Sequence, residues 1–436
     1  MRYLISALAV FLLPISSIGQ KLNKYIERSL YTHINILASD SLEGRRAGTI
    51  GEHHASEYIS KYFKTIGLAP LKDIDAFTIP FDISEGEKLD SNSYIKLNNN
   101  NLELNQIIFL PFTVRKFSIK GTTFANLKEK GGFWMVDIKD NFKNLHPHSD
   151  IISELSKFTQ YAVSNGCQTI MFYNAPEFIL PGIINQPFTH DFGIPALYLP
   201  QLHNGLITFE NPLQFEFSYS FSKSIRKSNN VVGYLDNRRD TTIIVGAHYD
   251  HLGYGEDGNS MLRNGAPQIH NGADDNASGT TALLEIAKHI VNNRKKYARY
   301  NFIFAAFSGE ELGLLGSKQI AEILVKTPHH IKFMLNLDMV GRLNPVSKAI
   351  TIGGYGTSPS WSSIFGMLSS RDLTIKFDST GSGPSDHTSF YRKNIPVLFY
   401  FTGLHQDYHK PTDDIEKINI NGITLVIKNV LDVVRL

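Results

Sequence analysis

The sequence predicts an α/β protein: a three-layer αβα sandwich around a central, mostly parallel mixed sheet, interrupted by a smaller β-rich insertion. Three observations predict it. From residue 230 onward, short apolar runs alternate with stretches of helical periodicity, the pattern of parallel strands joined by crossover helices. Between about 80 and 222 the texture changes to short apolar runs between turn residues, such as YIKLNNNNLELN and GGFWMVDI, which signal closely spaced strands. Two helical stretches precede that region and are expected to pack on the later sheet, which makes the β-rich segment an insertion. The expected division is a leader at 1–19, one domain from 20–79 and 223–436, and an inserted domain at 80–222.

Taken in order, residues 1–19 (MRYLISALAVFLLPISSIG) carry Arg2, the apolar run Leu4–Leu13 and the small-x-small triplet Ser17-Ile18-Gly19. They read as a signal peptide and predict export to the periplasm or the extracellular space. The run falls short of the roughly 20 residues of a membrane span, so no integral span is expected in the mature chain. Residues 21–38 read as a helix, followed by the Gly-rich loop SDSLEGRRAGTIG. A second helix is expected from Glu52 to Thr65 on the spacing of Tyr58, Ile59 and Phe63, with Gly67 as its C-cap and Pro70 beyond. Inside the insertion a helix is expected at Ile151–Ser164. After the polar connector SKSIRKSNN, strands are expected at 230–235, 242–247, 301–307, 332–338, 348–353, 374–378 and 396–402. Helices are expected at 277–291, 311–325, 359–370 and 421–435.

Composition narrows the function classes. The 436 residues are 42% hydrophobic and 19% charged, with a formal charge of +2 and no long basic run. Nothing there asks for nucleic acid or an anionic membrane. The single cysteine, Cys167, lies in the apolar stretch NGCQTIMFY and reads as buried and inert. An exported chain without a disulfide depends on its core or on metal. His146, His148, His190 and His203 are scattered and read as surface residues.

The chemistry gathers at predicted strand ends. His248 and Asp250 follow the strand TTIIVGA. Asp274 and Asp275 precede a helix. Glu310 and Glu311 follow NFIFAAF, Asp338 ends FMLNLD, and His409 follows VLFYFTG. Each alone has an ordinary structural reading: Asp274 as a helix cap, Glu310 and Glu311 as first-turn acids. Five segments delivering such groups to one sheet edge make a site the better reading. Histidine with carboxylates and no cysteine suits zinc, with cobalt or manganese as substitutes. A two-metal site needs a bridging carboxylate, and a further carboxylate must take the proton of the attacking water. Adjacent Glu310 and Glu311 suit that division, one binding metal and the other acting as base.

These residues resemble peptidase family M28, the co-catalytic di-zinc aminopeptidases, through HYDHLG, GADDNASG, SGEELGLLGS, NLDMVG and HKPTDD in that order. The resemblance extends to ASDSLEGRRAGTIGEHHASEYI, and more weakly to a protease-associated insert through NGCQTIMFYN and IPALYL. It implies two zinc ions, one completed by His248 and Asp338, the other by Glu311 and His409, with Asp274 as the bridge. It implies Glu310 as general base, Asp250 orienting His248, and a cis peptide between Asp274 and Asp275. His409 is preferred to His405 because it stands just before Lys410-Pro411. His387, in GPSDHTSFY, is expected to line the substrate pocket. His251 and His270 match no ligand position.

The expected function is an exported aminopeptidase acting on peptides. Two alternatives stay open: a glutaminyl cyclase-like acyltransferase, which uses one zinc on the same fold, and a carboxypeptidase or dipeptidase.

Overall fold

Strands of the main sheet are apolar at successive positions because helices cover both faces. In Thr241–His248, residues Ile243, Val245 and Ala247 enter one buried cluster and Ile244 enters another. Asn301–Phe307 splits likewise, with Phe302, Phe304 and Ala306 on one side and Ile303, Ala305 and Phe307 on the other. This is the two-residue period of a strand acting on an unbroken apolar run. Helices Ile15–Leu37, Ile50–Thr65, Gly279–Asn292 and Ile420–Arg435 fill the first cluster with Ile34, Phe63, Ile286 and Val430. Leu315–Lys326 and the short helix His387–Tyr391 fill the second with Ile320, Leu324 and Phe390. The result is the three-layer αβα arrangement.

This computed structural model describes residues 15–436 apart from 125–129, 143–149, 176, 178–187, 201–211, 264, 328–329 and 369–371. Across the main sheet the strand order is Thr374–Phe377, Ala349–Gly353, Val397–Phe401, His330–Leu337, Thr241–His248, Asn301–Phe307 and the end of Pro212–Leu235. The three central pairings, between Val397–Phe401 and Asn301–Phe307, are parallel. Val231–Leu235 and Ala349–Gly353 pair antiparallel to their inner neighbours, so the sheet is mixed.

Two compact units are present, one of Met1–Ile83 with Ile225–Leu436, the other of Ser84–Ser224. The second has a four-stranded sheet in the order Ile108–Phe109, Ala196–Leu199, Thr169–Tyr173, Phe133–Asp137. Trp134 and Val136 meet the helix Ile151–Ser164 on one face, while Phe133 and Met135 meet Phe215 and Phe217 on the other. Cys167 is buried there, and burial pushes its thiol up to about 11, which keeps it unreactive. Most of the expected leader, and His146, His148 and His203, lie outside the described residues; His190 is exposed. Among the described residues no helix is long and apolar enough to cross a membrane.

Candidate metal centre

Three adjacent parallel strands, His330–Leu337, Thr241–His248 and Asn301–Phe307, end at one edge, and their register sets His248 beside Phe307. Residues just beyond such carboxyl ends face a common crevice. His248 closes its strand, Asp338 follows its own by one residue, and Glu310 and Glu311 follow Ser308-Gly309. The turn Ala273–Ser278 brings Asp275, and the loop beyond Val397–Phe401 brings His409. Glu311 was expected to start a helix. Instead the chain turns, with the N–H groups of Gly313 and Leu314 both donating to the Glu310 carbonyl, and Leu314 at φ 65° delays the helix to Leu315. That turn leaves both glutamates at the sheet edge.

His248 Nε2 stands 3.4 Å from Asp275 Oδ1 and 3.3 Å from Asp338 Oδ1. His409 Nε2 stands 3.3 Å from Asp275 Oδ2 and 3.3 Å from Glu311 Oε2. Asp275 therefore faces both groups, one oxygen to each. The far oxygen of Glu311 is 2.9 Å from His251 Nδ1, which makes His251 a member of the cluster that its sequence position did not reveal. Only its place one residue after Asp250, in HYDH, could have drawn notice to it.

The position between the two histidines belongs to Asp275, which corrects the expectation for Asp274. Asp274 turns away: its Oδ1 accepts from the Gly341 N–H (2.6 Å) and the Ser278 hydroxyl (3.0 Å), and its Oδ2 lies 3.2 Å from His405. The cis peptide falls one residue later as well, between Asp275 and Asn276. Adjacent carboxylates in a turn project in different directions, and here the main chain decides which goes where. The N–H groups of Asp274 and Asp275 both donate to Asp413 Oδ2, at 2.9 and 3.0 Å, while Arg342 holds Asp413 Oδ1 at 3.1 Å. Gly272 makes the turn possible at φ 55°: a Cβ there would lie 2.1 Å from the Asp275 carbonyl oxygen and 2.4 Å from the His251 ring.

Neighbouring groups aim the remaining donors. His409 Nδ1 donates to the Asn259 carbonyl at 2.9 Å, which turns Nε2 toward the cluster. His248 Nδ1 faces Asp250, 3.3 Å from its main-chain oxygen and 3.7 Å from its carboxylate. Asp250 Oδ1 also accepts from the Glu310 N–H at 3.2 Å. Ser385 donates to Asp338 Oδ2 (2.7 Å) and accepts from Asn336, so Oδ1 is left for the His248 side.

The cluster is acid-rich and buried. Burial raises Glu310 well above the usual carboxylate range; His248 opposes the rise, and Glu311, Asp386 and Asp338 add to it. Burial acts to lower His248, but Asp338 and Glu310 override it and raise it well above the usual imidazole value. His409 is raised to about 10: burial opposes, and Asp275 and Glu311 prevail. Each histidine thus holds a proton that a bound cation would displace.

Spacing tests whether a metal fits. A charge-assisted N–H···O bond contracts to about 2.7–2.9 Å, yet the four contacts at His248 and His409 are 3.3–3.4 Å. Two ligands bonded to a tetrahedral zinc at about 2.0–2.2 Å stand about 3.3–3.5 Å apart. The donors are therefore spaced as ligands around a common centre. His248, Asp275 and Asp338 form one such group, and His251, Asp275 and Glu311 another; His409 faces Asp275 and Glu311 beside the second group.

His387 is 1% exposed and stacks on Phe399 at 4.5 Å, so it packs behind the strand instead of lining open solvent. Among the described residues its Nδ1 has no hydrogen-bond partner, and burial lowers its pKa to about 4. Its unfolded value is near 6.5, so the neutral ring supports the fold above that pH and the support is lost as pH falls toward 4. We expect it to cost about 2 kcal/mol of stability between about pH 7 and about pH 5. Thermal unfolding at both pH values should show this loss shrinking in His387→Gln; an equal loss in both proteins would refute it.

Residues 230–434 match the model of peptidase family M28. A probable leucine aminopeptidase of Arthroderma otae is 29% identical over 216 residues, 47% of this chain and 56% of that protein. Aminopeptidase YwaD of Bacillus subtilis is 28% identical over 273 residues, 59% of this chain and 54% of that protein. The chain thus spans about half the length of the curated relatives it matches. Among solved structures, LapA of Legionella pneumophila shares the fold with a TM-score of 0.50 at 12% identity, covering 99% of this chain and 79% of that one. The motifs follow one another along residues 230–434, the region that matches the model of peptidase family M28, and their side chains converge at one sheet edge.

Proposed function

We propose that this chain is an exported zinc aminopeptidase that removes N-terminal residues from peptides. The observation that carries the reading is the pair of donor groups sharing Asp275, with Glu310 beside them and in neither. In this reading His248, Asp338 and Asp275 hold one zinc, and Glu311, His409 and Asp275 the other; cobalt or manganese suits the same donors. When bound, the ions supply Lewis acidity, activating water and polarising the scissile carbonyl. Glu310 takes the proton of that water and passes it to the leaving amine. Asp250 holds the Glu310 main chain and faces His248, and His251 fixes the outer oxygen of Glu311. Such groups behind the ligands set ligand orientation and basicity.

Export is supported by the leader-like residues 1–19. Action at the amino end is supported by the relatives named as aminopeptidases. The unit Ser84–Ser224 is read as a protease-associated-like insert.

The test is a panel of matched peptides with free and acyl-blocked amino termini, including one that begins with glutamine. Release of the first residue from the free peptides alone is expected. Cleavage of blocked peptides, or cyclisation of the glutaminyl peptide without hydrolysis, would reject the aminopeptidase reading.

A further inference from the structure

We propose that Arg45 is a positioning residue that clamps the two segments carrying His248 and Asp275, so that the spacing of these donors exists before any metal binds. The proposal rests on the zinc reading above. Arg45 is 1% exposed, and among the described residues its four hydrogen bonds all end on main-chain carbonyl oxygens. Nε donates to Tyr249 at 2.7 Å. One terminal nitrogen donates to Asn271 at 2.7 Å and to Leu37, and the other to Gly272 at 3.1 Å. Tyr249 follows the ligand His248, and Asn271 and Gly272 lead to Asp275. A single planar group therefore ties the start of the 248–275 loop to its end, and ties both to the helix Ile15–Leu37.

The main chain grips the same loop. The Arg45 carbonyl accepts from the His251 N–H at 3.2 Å, and the Gly44 carbonyl accepts from the Gly253 N–H at 3.1 Å. This close approach needs a left-handed backbone at Glu43, Gly44 and Arg45, with φ of 47°, 67° and 49°. It also needs glycine at 44, where a Cβ would lie 2.6 Å from the His270 carbonyl oxygen and 2.7 Å from that of Gly253. Guanidinium suits the task because its five N–H donors are fixed in one plane. A lysine keeps the charge but offers a point donor on a flexible stem.

Charge and geometry predict opposite effects, which makes the proposal testable. A cation near the acids Asp250, Asp275, Asp413 and Glu311 acts against metal binding, whereas a fixed donor spacing acts for it. Zinc affinity should be measured on the full chain by competition with a chromophoric chelator, for the native protein, Arg45→Lys and Arg45→Met. The clamp predicts affinity weaker by about 10–100-fold in both variants, the range for groups that orient ligands. Native affinity in Arg45→Lys, tighter binding in Arg45→Met, or a lowered Tm with unchanged affinity would each overturn it. Should both variants fail to fold, hydrogen exchange on the metal-free native chain decides. Slow exchange at the His251, Gly253 and His270 amides supports the clamp, and exchange at unprotected rates overturns it. A native chain that binds no zinc rejects the zinc reading itself, an outcome distinct from failure of the clamp.

Discussion

Glu310→Gln is expected to keep its metal and lose kcat by about 10²–10⁴-fold, the usual contribution of a positioned general base. Glu310 belongs to neither donor group, so the amide leaves the ligands intact. Its main chain is held by Asp250 at 3.2 Å, a bond the substitution does not touch. What changes is the proton affinity. Burial and the neighbouring acids raise the Glu310 carboxyl well above its ordinary range, which suits a group that must both take and return a proton. Glutamine is nearly the same size but cannot accept that proton. KM should change little, because an interaction made only in the transition state appears in kcat. Steady-state kinetics with a free-amine peptide, alongside zinc content, checks this. Rates near those of the native enzyme would remove Glu310 from the base role.

Asp275→Ala is expected to abolish activity, whereas Asp274→Asn is expected to remain active. Asp275 presents one oxygen to His248 and the other to His409, so its removal takes a ligand from both sides at once. Asp274 supports the turn through the Gly341 N–H and the Ser278 hydroxyl, and an asparagine oxygen can still accept both bonds. We expect its cost in metal affinity to be about tenfold, as for groups behind the ligands. Circular dichroism should show both variants folded before their activities are compared.

Much of this site was legible in the sequence because its chemistry repeats the fold's own rule. Apolar runs such as TTIIVGA and NFIFAAF mark strands buried on both faces, and ligand-type residues directly after them fall at one sheet edge. That logic reaches His248, Glu310, Glu311 and Asp338, and these four converge with His409 and Asp250 in space. It does not choose between Asp274 and Asp275, since both precede the same helix. The choice is made by Asp413 and Gly341, which are distant in sequence and act through main-chain hydrogen bonds. Nor does it reach Arg45, whose partners are carbonyl oxygens and leave no trace in residue type. His387 was expected to line the substrate pocket; it stacks on Phe399 and is buried, a packing its sequence neighbours do not reveal.

The central claim is that two zinc ions share Asp275, and counting zinc per folded chain by mass spectrometry tests it most directly. The account predicts two ions in the native protein, two in Asp274→Asn and fewer than one in Asp275→Ala. A single ion in the native chain, or loss of both ions from Asp274→Asn while Asp275→Ala keeps them, would contradict it.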